Sequence, residues 1–335
     1  MNKNKKSSRK NLIKFFLLLI ILYIIVYIFR DSLPDIIAQL KQTKPLTIVL
    51  MLLVSTGYNI LEGINISSLA KTFNGKVSII DGILCSFYSA FYRVITFGGG
   101  SYLALIHYLK NSGLTVAHSI SISMTQYMIH KFTIVLYLIL LWITRFKFIQ
   151  TNFGKYDFFM AISIIIAIGI ILFLALISFS TKFYILIFKI IDKIKNTNKF
   201  SFDFDKMKNW LTNLNTGAKE LLKDKKILLQ TFIVTFFKLG CWYIIPFVIY
   251  YPDLSVLDVF TMMSIVLSIS GVIPSPGVGP IEFAFILIFS NLIGTNNATS
   301  GMLLYRFSTY FYPFIIGGII AFVRAFIVER RKNSL

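Results

Sequence analysis

Six charged side chains lie in apolar stretches of this sequence, where a charge is costly. They are four cations and two carboxylates: Arg93, Lys131, Lys238, Arg306, Glu62 and Glu282. A charge near the centre of a bilayer costs at least about 2.5 kcal/mol, so such residues pair with one another or serve a site. The two carboxylates balance two cations, which leaves two positive charges over. This surplus predicts a site for an anion, such as the phosphate of a lipid headgroup.

Several of these residues also have a purely structural interpretation. Lys238 can extend to the interface or pair with a glutamate, and Arg306 can anchor its helix at the outer interface. Glu282 can cap a helix or contact a substrate. Arg93 lies within five residues of Gly98, and Lys131 follows a histidine near the middle of a long apolar stretch. All six charged residues are retained as candidates for the substrate-binding site.

Two glycine-rich breaks interrupt apolar helices and bring backbone dipoles to the same region. The first contains Gly98, Gly99 and Gly100, and the second contains Gly271, Pro274, Pro276, Gly277, Gly279, Pro280 and Glu282. Three prolines within seven residues exclude a continuous helix. Irregular backbone at membrane depth persists where protein buries it or where it lines a polar cavity. We therefore predict that the breaks are the tips of two re-entrant hairpins and bind substrate. An ordinary loop between two surface helices is the alternative for the second.

The first hairpin is bounded by its short return segment. Tyr102–Leu109 extends about 12 Å as a helix, which is too short to cross a bilayer. Ser78–Lys110 therefore enters and leaves on one side of the membrane.

The composition is that of a membrane protein. The chain has 335 residues, of which 56% are hydrophobic and only 14% are charged. Several runs approach the roughly 20 apolar residues that cross a bilayer. We predict an all-α polytopic membrane protein with six spanning helices and two opposed re-entrant hairpins. The predicted spans are Leu12–Phe29, Leu46–Leu69, Thr115–Thr144, Asp157–Ser178, Ile227–Tyr250 and Thr299–Val328.

Cofactors and nucleic acid are not predicted as partners. The two cysteines and three histidines show no metal-ligand spacing, so we expect no metal and no cofactor. The net charge of +20 comes mainly from loops, and no nucleic-acid-binding motif accompanies it. The basic start has no small-residue cleavage site after its apolar run, so we expect an uncleaved first helix rather than a signal peptide.

The distribution of basic residues predicts the orientation. With both hairpins returning to their own side, 24 of the 34 Lys and Arg residues fall in one alternating set of loops and six in the other. Cytoplasmic loops carry the excess of Lys and Arg. Both termini are therefore predicted to be cytoplasmic.

Both hairpins begin with the same pattern. Ser78-Ile-Ile-Asp81 and Ser255-Val-Leu-Asp258 each precede an apolar helix, which is typical of a capping box with aspartate in place of glutamate. Each helix then runs to a glycine-rich break, and two predicted spans precede each hairpin. Chance recurrence is the alternative. Opposed copies of such a unit are typical of secondary transporters, so we predict an inverted repeat.

The whole chain is predicted to form one domain. It is residues 1–335, with repeat one at about 12–144, repeat two at about 157–328 and a basic cytoplasmic loop at 181–226. Phe183–Ile194 in that loop has apolar residues at helical spacing, which predicts an interfacial amphipathic helix.

The second break also resembles a known motif. Pro274-Ser-Pro276-Gly277-Val-Gly279-Pro280-Ile-Glu282 is similar to the Pro-Gly-x-x-Gly-x-x-Glu signature of the transmembrane domain of the lysylphosphatidylglycerol synthase/flippase family. Ile95-Thr-Phe97-Gly98-Gly99-Gly100 is similar to the family's first glycine-rich motif, and Arg306 with Tyr310 to Gly318 is similar to its last helix. The resemblance covers roughly Leu46 to Val328.

The chain departs from that family in two ways. The first motif usually has a proline before its glycines and a glutamate or proline after them, whereas Thr96 and Ser101-Tyr102 stand here. An acidic role at the first tip is therefore not implied. Bifunctional members continue into a tRNA-dependent aminoacyltransferase domain, whereas this chain ends at Leu335. The resemblance thus implies the lipid-translocating part alone.

The leading hypothesis is translocation of an anionic or aminoacylated phospholipid or glycolipid across the bacterial cytoplasmic membrane. Moving an aminoacylated lipid outward would contribute to resistance against cationic antimicrobial peptides. A lipid-modifying enzyme, such as a phosphatidylglycerol lysyltransferase, is the alternative, although no catalytic constellation is present in the sequence. A third hypothesis is a membrane partner subunit of a separate synthase, and a second copy of the chain is a further candidate partner.

Overall fold

The polypeptide is helical in the residues that the computed structural model describes, which are 33–96, 99–180, 183, 185–189, 204–272 and 279–333. The predicted first span, Leu12–Phe29, lies outside the described residues, as do Gly98, Pro276 and Gly277.

The helices, in chain order, are α1 (Leu33–Gln42), α2 (Pro45–Thr72), α3 (Ile79–Ile95), α4 (Ser101–Asn111), α5 (Val116–Thr144), α6 (Phe146–Phe153), α7 (Asp157–Phe179), α8 (Phe204–Lys223), α9 (Lys225–Tyr250), α10 (Val256–Val272), α11 (Pro280–Ile293), α12 (Thr295–Arg306) and α13 (Tyr312–Asn333). A 3₁₀ turn at Gly154–Tyr156 precedes α7, and a π-helix at Phe307–Phe311 joins α12 to α13.

Five helical segments among the described residues are long and apolar enough to cross a membrane. They are Pro45–Thr72, Val116–Thr144, Phe146–Leu176, Lys225–Tyr250 and Thr295–Arg324. They overlap the five predicted spans that fall within the described residues. The count of six stays a prediction because Leu12–Phe29 is not described.

Both predicted hairpins are pairs of shorter helices in contact. Helix α3 packs against α4, and α10 packs against α11. The return helices have 11 and 14 residues, respectively, so neither can cross a bilayer core about 30 Å thick. Their depth in a membrane stays a prediction.

The repeated Ser-x-x-Asp pattern forms the predicted helix starts. The Ser78 hydroxyl accepts from the Asp81 N–H at 3.0 Å, and the Asp81 carboxylate accepts from the Ser78 N–H at 3.2 Å. At the second hairpin, the Ser255 hydroxyl accepts from the Asp258 N–H at 3.1 Å and donates to the Asp258 carboxylate at 2.6 Å. Arg145 also pairs with Asp258. The capping box at Ser78 is confirmed. At Ser255 the serine hydroxyl caps the helix in the same way, by accepting from the N–H three residues later.

Helices from the two halves of the chain pack against each other. The most extensive helix contact joins α2 to α9. Helix α3 of the first hairpin packs against α13, and α10 of the second hairpin packs against α5. Each hairpin therefore lies against a long helix from the other half of the chain. Arg324 of α13 strengthens this exchange, because it donates to the Tyr108 carbonyl and the Ser112 hydroxyl, both at 3.2 Å.

Glycines permit the close crossings around α3. A Cβ atom on Gly82 would overlap the carbonyl oxygen of Gly63 in α2, and one on Gly317 of α13 would overlap the carbonyl oxygen of Phe87. Small residues let helix backbones approach in this way inside membranes. Helix α3 is thus held between α2 and α13.

A matched pair of glycine substitutions tests this crossing. Gly82→Ala is expected to lower the free energy of unfolding by about 2 kcal/mol, because the new methyl group overlaps backbone that cannot move away. Gly169→Ala in α7 is the control, since no atom lies within 4 Å of a Cβ at that position. We expect its stability to be unchanged or raised by up to about 1 kcal/mol. Detergent-based equilibrium unfolding measures both, and equal stability would contradict the close crossing.

The basic loop contains a helix that the sequence reasoning missed. Helix α8 packs against α5 and α7, with Leu211, Ala218 and Leu221 buried. The predicted amphipathic helix at Phe183–Ile194 lies mostly outside the described residues, although residues 185–189 are helical. The signal available in the sequence was the helical spacing of Leu211, Ala218 and Leu221, which are seven and three positions apart. The intervening lysines and asparagines masked it.

Candidate functional site

A cavity of about 570 Å³ lies among α2, α3, α4, α5 and α9. Its volume is within the range of small-molecule sites. Predicted site residues from four of these helices and from the first break line it: Glu62, Arg93, Gly99, Lys131 and Lys238. The structure therefore brings together residues that are up to 176 positions apart in the chain.

Lys238 and Glu62 form an ion pair in the cavity wall. The Lys238 Nζ lies 2.6 Å from Glu62 Oε2, and the Lys238 side chain is only 3% exposed. The ammonium also lies 5.5 Å from the centre of the Tyr58 ring. Of the two structural interpretations of Lys238, pairing with a glutamate is confirmed.

Arg93 and Lys131 carry the positive charge that is left over. Within the described residues, no carboxylate lies within 4 Å of either cation. The Arg93 guanidinium lies 5.9 Å from the Trp242 ring centre, and the Lys131 ammonium lies 5.8 Å from that of Tyr127. Contacts of this length are weak. Both side chains are half-buried and line the cavity, so the cavity is cationic.

Two polar groups in the cavity wall have no protein partner among the described residues. Gln126 is 4% exposed, and neither its amide nitrogen nor its oxygen makes a hydrogen bond. The buried Ser89 hydroxyl is likewise unbonded. Such groups cost about 1–3 kcal/mol each when they are left unsatisfied. Because both line the cavity, a ligand in it can satisfy them.

The first break delivers a helix N-terminus to the cavity. Gly99 and Ser101 line it, and Ser101 begins α4. The Gly100 N–H donates to the Thr96 hydroxyl at 2.7 Å, and a Cβ on Gly100 would overlap the Thr96 side chain. This close approach requires glycine at position 100. The positive end of the α4 dipole therefore adds to the charge of the two cations.

Arg306 and Glu282 form a second ion pair, and neither lines this cavity. Arg306 Nε lies 2.5 Å from Glu282 Oε1, and the guanidinium lies 4.1 Å from the centre of the Tyr310 ring. Arg306 is 6% exposed, so it does not act as an interface anchor. Glu282 also accepts from the Gly279 N–H at 2.7 Å, which confirms its capping interpretation. Gly279 is exposed and has a φ of 105°, a value that favours glycine.

Lys131 lies close to the second hairpin as well. Its Nζ would be 3.5 Å from a Cβ atom on Gly271, near the end of α10. A small cavity on that side is lined by Lys131, Ser163 and Ser268 together with Gly271. Lys131 therefore stands between the 570 Å³ cavity and the helix that leads into the second break.

A chain of buried hydrogen bonds leads away from the cavity wall. The Ser86 hydroxyl donates to Asn59 at 2.9 Å, and the Asn59 amide donates to the Ser55 carbonyl at 2.9 Å. The Ser55 hydroxyl donates to the Ser308 carbonyl at 2.6 Å. This chain connects the cavity through α2 to the π-helix that follows Arg306.

The described residues offer no obvious metal site. Within those ranges, no group of three or more His, Cys, Asp and Glu side chains is placed to hold an ion. Cys85 and Cys241 are free thiols, the first buried and the second half-buried.

Sequence reasoning missed several neutral residues of the cavity wall. They are Tyr58, Ser86, Ser89, Ser101, Tyr102, Tyr127 and Trp242. One signal was present in α5, where Gln126 and His130, and likewise Tyr127 and Lys131, are four residues apart and so share a helix face.

These features define a multi-pass α-helical membrane protein with a polar, cationic cavity inside its helix bundle. The chain belongs to the family described as Lysylphosphatidylglycerol synthase TM region, whose sequence profile matches residues 12–317. The family resemblance seen in the glycine-rich motifs is thereby confirmed, and it associates the chain with membrane lipid. Among curated proteins, none matches the chain significantly.

Proposed function

We propose that the protein translocates a lipid with an anionic headgroup across the bacterial cytoplasmic membrane. The single observation that carries this proposal is a pair of cations in the wall of a 570 Å³ cavity, Arg93 and Lys131, that have no carboxylate within 4 Å among the described residues. The cavity holds the headgroup, and the acyl chains stay in the surrounding lipid. Membership of a lipid-associated family supports lipid as the ligand rather than a soluble anion.

We propose that lipid is moved when the two halves of the chain shift against each other, because each half packs against a hairpin of the other. In an inverted repeat, one unit rocks against the other around a central site. The contacts of α3 with α13 and of α10 with α5 have the reciprocity that this arrangement requires. Lys131 lies between the cavity and α10. In this proposal it couples binding in the cavity to the position of the second hairpin.

Orientation and physiological role belong to the same proposal. The excess of Lys and Arg in one set of loops supports cytoplasmic termini. Lipid movement toward the outer leaflet changes the surface charge. An aminoacylated lipid is the alternative cargo, and its outward movement would contribute to resistance against cationic antimicrobial peptides.

A vesicle assay tests the proposal. Protein is reconstituted into phosphatidylcholine vesicles that contain a trace of phosphatidylglycerol with a fluorescent headgroup, and a membrane-impermeant reductant bleaches the label in the outer leaflet. We expect the protected inner fraction to be lost faster than in protein-free vesicles. Labelled phosphatidylcholine is the control and should move more slowly, because its headgroup has no net charge. The proposal fails if no labelled lipid moves faster than in empty vesicles.

A further inference from the structure

Two helices of this chain start immediately after a glycine-rich break, and their first turns differ in charge. Helix α11 has Gly279 at its N-cap and Glu282 as its third residue. The Glu282 carboxylate accepts the Gly279 N–H at 2.7 Å and pairs with Arg306 at 2.5 Å. At this helix, one carboxylate neutralises both the positive helix end and the neighbouring cation.

Helix α4 also has a positive N-terminus and shares its cavity with cations, but its first turn has no carboxylate. Its N-cap is Gly100, no side chain caps it, and its first turn contains no acidic residue. Its third residue is Leu103, which is 68% exposed and does not line the cavity. Arg93 and Lys131 line the same cavity as Ser101, the first residue of this helix. An anion is therefore missing where Glu282 supplies one in the other half.

Gln126 independently indicates that a ligand binds in this cavity. Its side chain is 4% exposed, lines the cavity and makes no hydrogen bond among the described residues. An amide both donates and accepts, so it suits a partner with oxygen and hydroxyl groups. Among the described residues of the cavity wall, the one glutamate is Glu62, and it is already paired with Lys238. A cationic amine on the ligand would therefore find no free carboxylate in the described wall.

We propose that the N-terminus of α4 is a phosphate subsite that takes a phosphodiester with a hydroxyl-bearing headgroup and without a free amine. The phosphate accepts from the first-turn N–H groups and the Ser101 hydroxyl, and Arg93 and Lys131 neutralise it. Gln126 hydrogen-bonds the headgroup oxygens. This inference rests on the proposed function for its lipid source, but phosphate binding itself is testable without transport.

Trp242 provides the readout. It lines the cavity and stacks on Tyr58 with ring centres 4.2 Å apart. The chain has only three tryptophans, so a Trp242→Phe variant identifies its share of the fluorescence. Purified full-length protein in detergent is titrated with dihexanoyl-phosphatidylglycerol, dihexanoylglycerol and inorganic phosphate. We expect a saturable change that depends on Trp242 with the phospholipid and none with dihexanoylglycerol, which lacks the phosphate.

Two substitutions at Ser101 test whether an anion binds at the N-terminus of α4. Ser101→Asp places a carboxylate at the start of α4, where it competes with the ligand phosphate. Ser101→Asn is its neutral counterpart. We expect phospholipid affinity to fall at least about tenfold further in Ser101→Asp than in Ser101→Asn, since a charge-assisted contact is replaced by repulsion. The aspartate variant should also have a melting temperature no lower than the asparagine variant, because the new carboxylate neutralises Arg93 and Lys131.

Three results would overturn the subsite. They are equal affinity in the two Ser101 variants, a lower melting temperature for Ser101→Asp than for Ser101→Asn, and an equal response to dihexanoylglycerol. A response to inorganic phosphate at the same concentrations as the phospholipid would uphold the subsite and overturn its lipid source. Charge-dependent binding without movement in the vesicle assay would uphold the subsite while the proposed transport function fails.

Discussion

Glu62→Gln is expected to lower the free energy of unfolding by about 3–5 kcal/mol, the cost of leaving one partner of a buried ion pair uncompensated. The reason is the position of Lys238, whose side chain is 3% exposed and whose ammonium lies 2.6 Å from Glu62. A neutral amide still accepts a hydrogen bond but no longer balances the charge. Equilibrium unfolding in mixed detergent micelles measures the loss.

Two further variants make this prediction specific. Glu220→Gln removes a carboxylate that lies 3.7 Å from His118 and is 43% exposed, so we expect a loss below about 1 kcal/mol. Glu62→Gln combined with Lys238→Met removes both charges and should recover much of the stability lost in the single variant. A Glu62→Gln protein as stable as Glu220→Gln would mean that Lys238 is not held by this pair.

Replacing Arg93 and Lys131, the two cavity cations without a carboxylate partner among the described residues, is expected to impair lipid movement without lowering stability. In Arg93→Gln/Lys131→Met, lipid movement in the vesicle assay should fall about a hundredfold or more, because two charge-assisted contacts of about 1.5–3 kcal/mol each are lost. The free energy of unfolding should not fall. Two half-buried charges without a carboxylate within 4 Å among the described residues cost free energy in the empty protein.

The control for this pair carries the same change in net charge at the surface. Lys71→Met/Lys110→Gln alters two exposed lysines outside the cavity wall, and both movement and stability should stay near the wild type. If the cavity variant moves lipid as fast as this control, Arg93 and Lys131 do not hold the headgroup. A large loss of stability in the cavity variant would instead assign the two cations a structural role.

Local features were predictable from the sequence. The capping box at Ser78 and Asp81 depends on residues three positions apart, and the shortness of α4, the return helix of the first hairpin, follows from residue counts. The surplus of two cations also follows from counting charges in apolar segments. In each case the physical cause acts within one stretch of chain.

The pairing of charges was not predictable in the same way. That Lys238 pairs with Glu62 and Arg306 with Glu282 depends on how helices far apart in sequence pack. Counting charges gives the size of the surplus but does not identify Arg93 and Lys131 as its members. The π-helix at Phe307–Phe311, directly after Arg306, was not predicted from the sequence.

The exchange of contacts between the halves has a consequence for biosynthesis. Helix α3 leaves the ribosome long before α13, the helix against which it finally packs, so the hairpin that carries Arg93 waits for its neighbour during most of translation. Helix α10 meets α5 as soon as it is made, because α5 precedes it in the chain. The two hairpins therefore reach their final packing in the reverse of their order in the sequence. The second has its long partner as soon as it is made, and the first is completed only after α13 has been made.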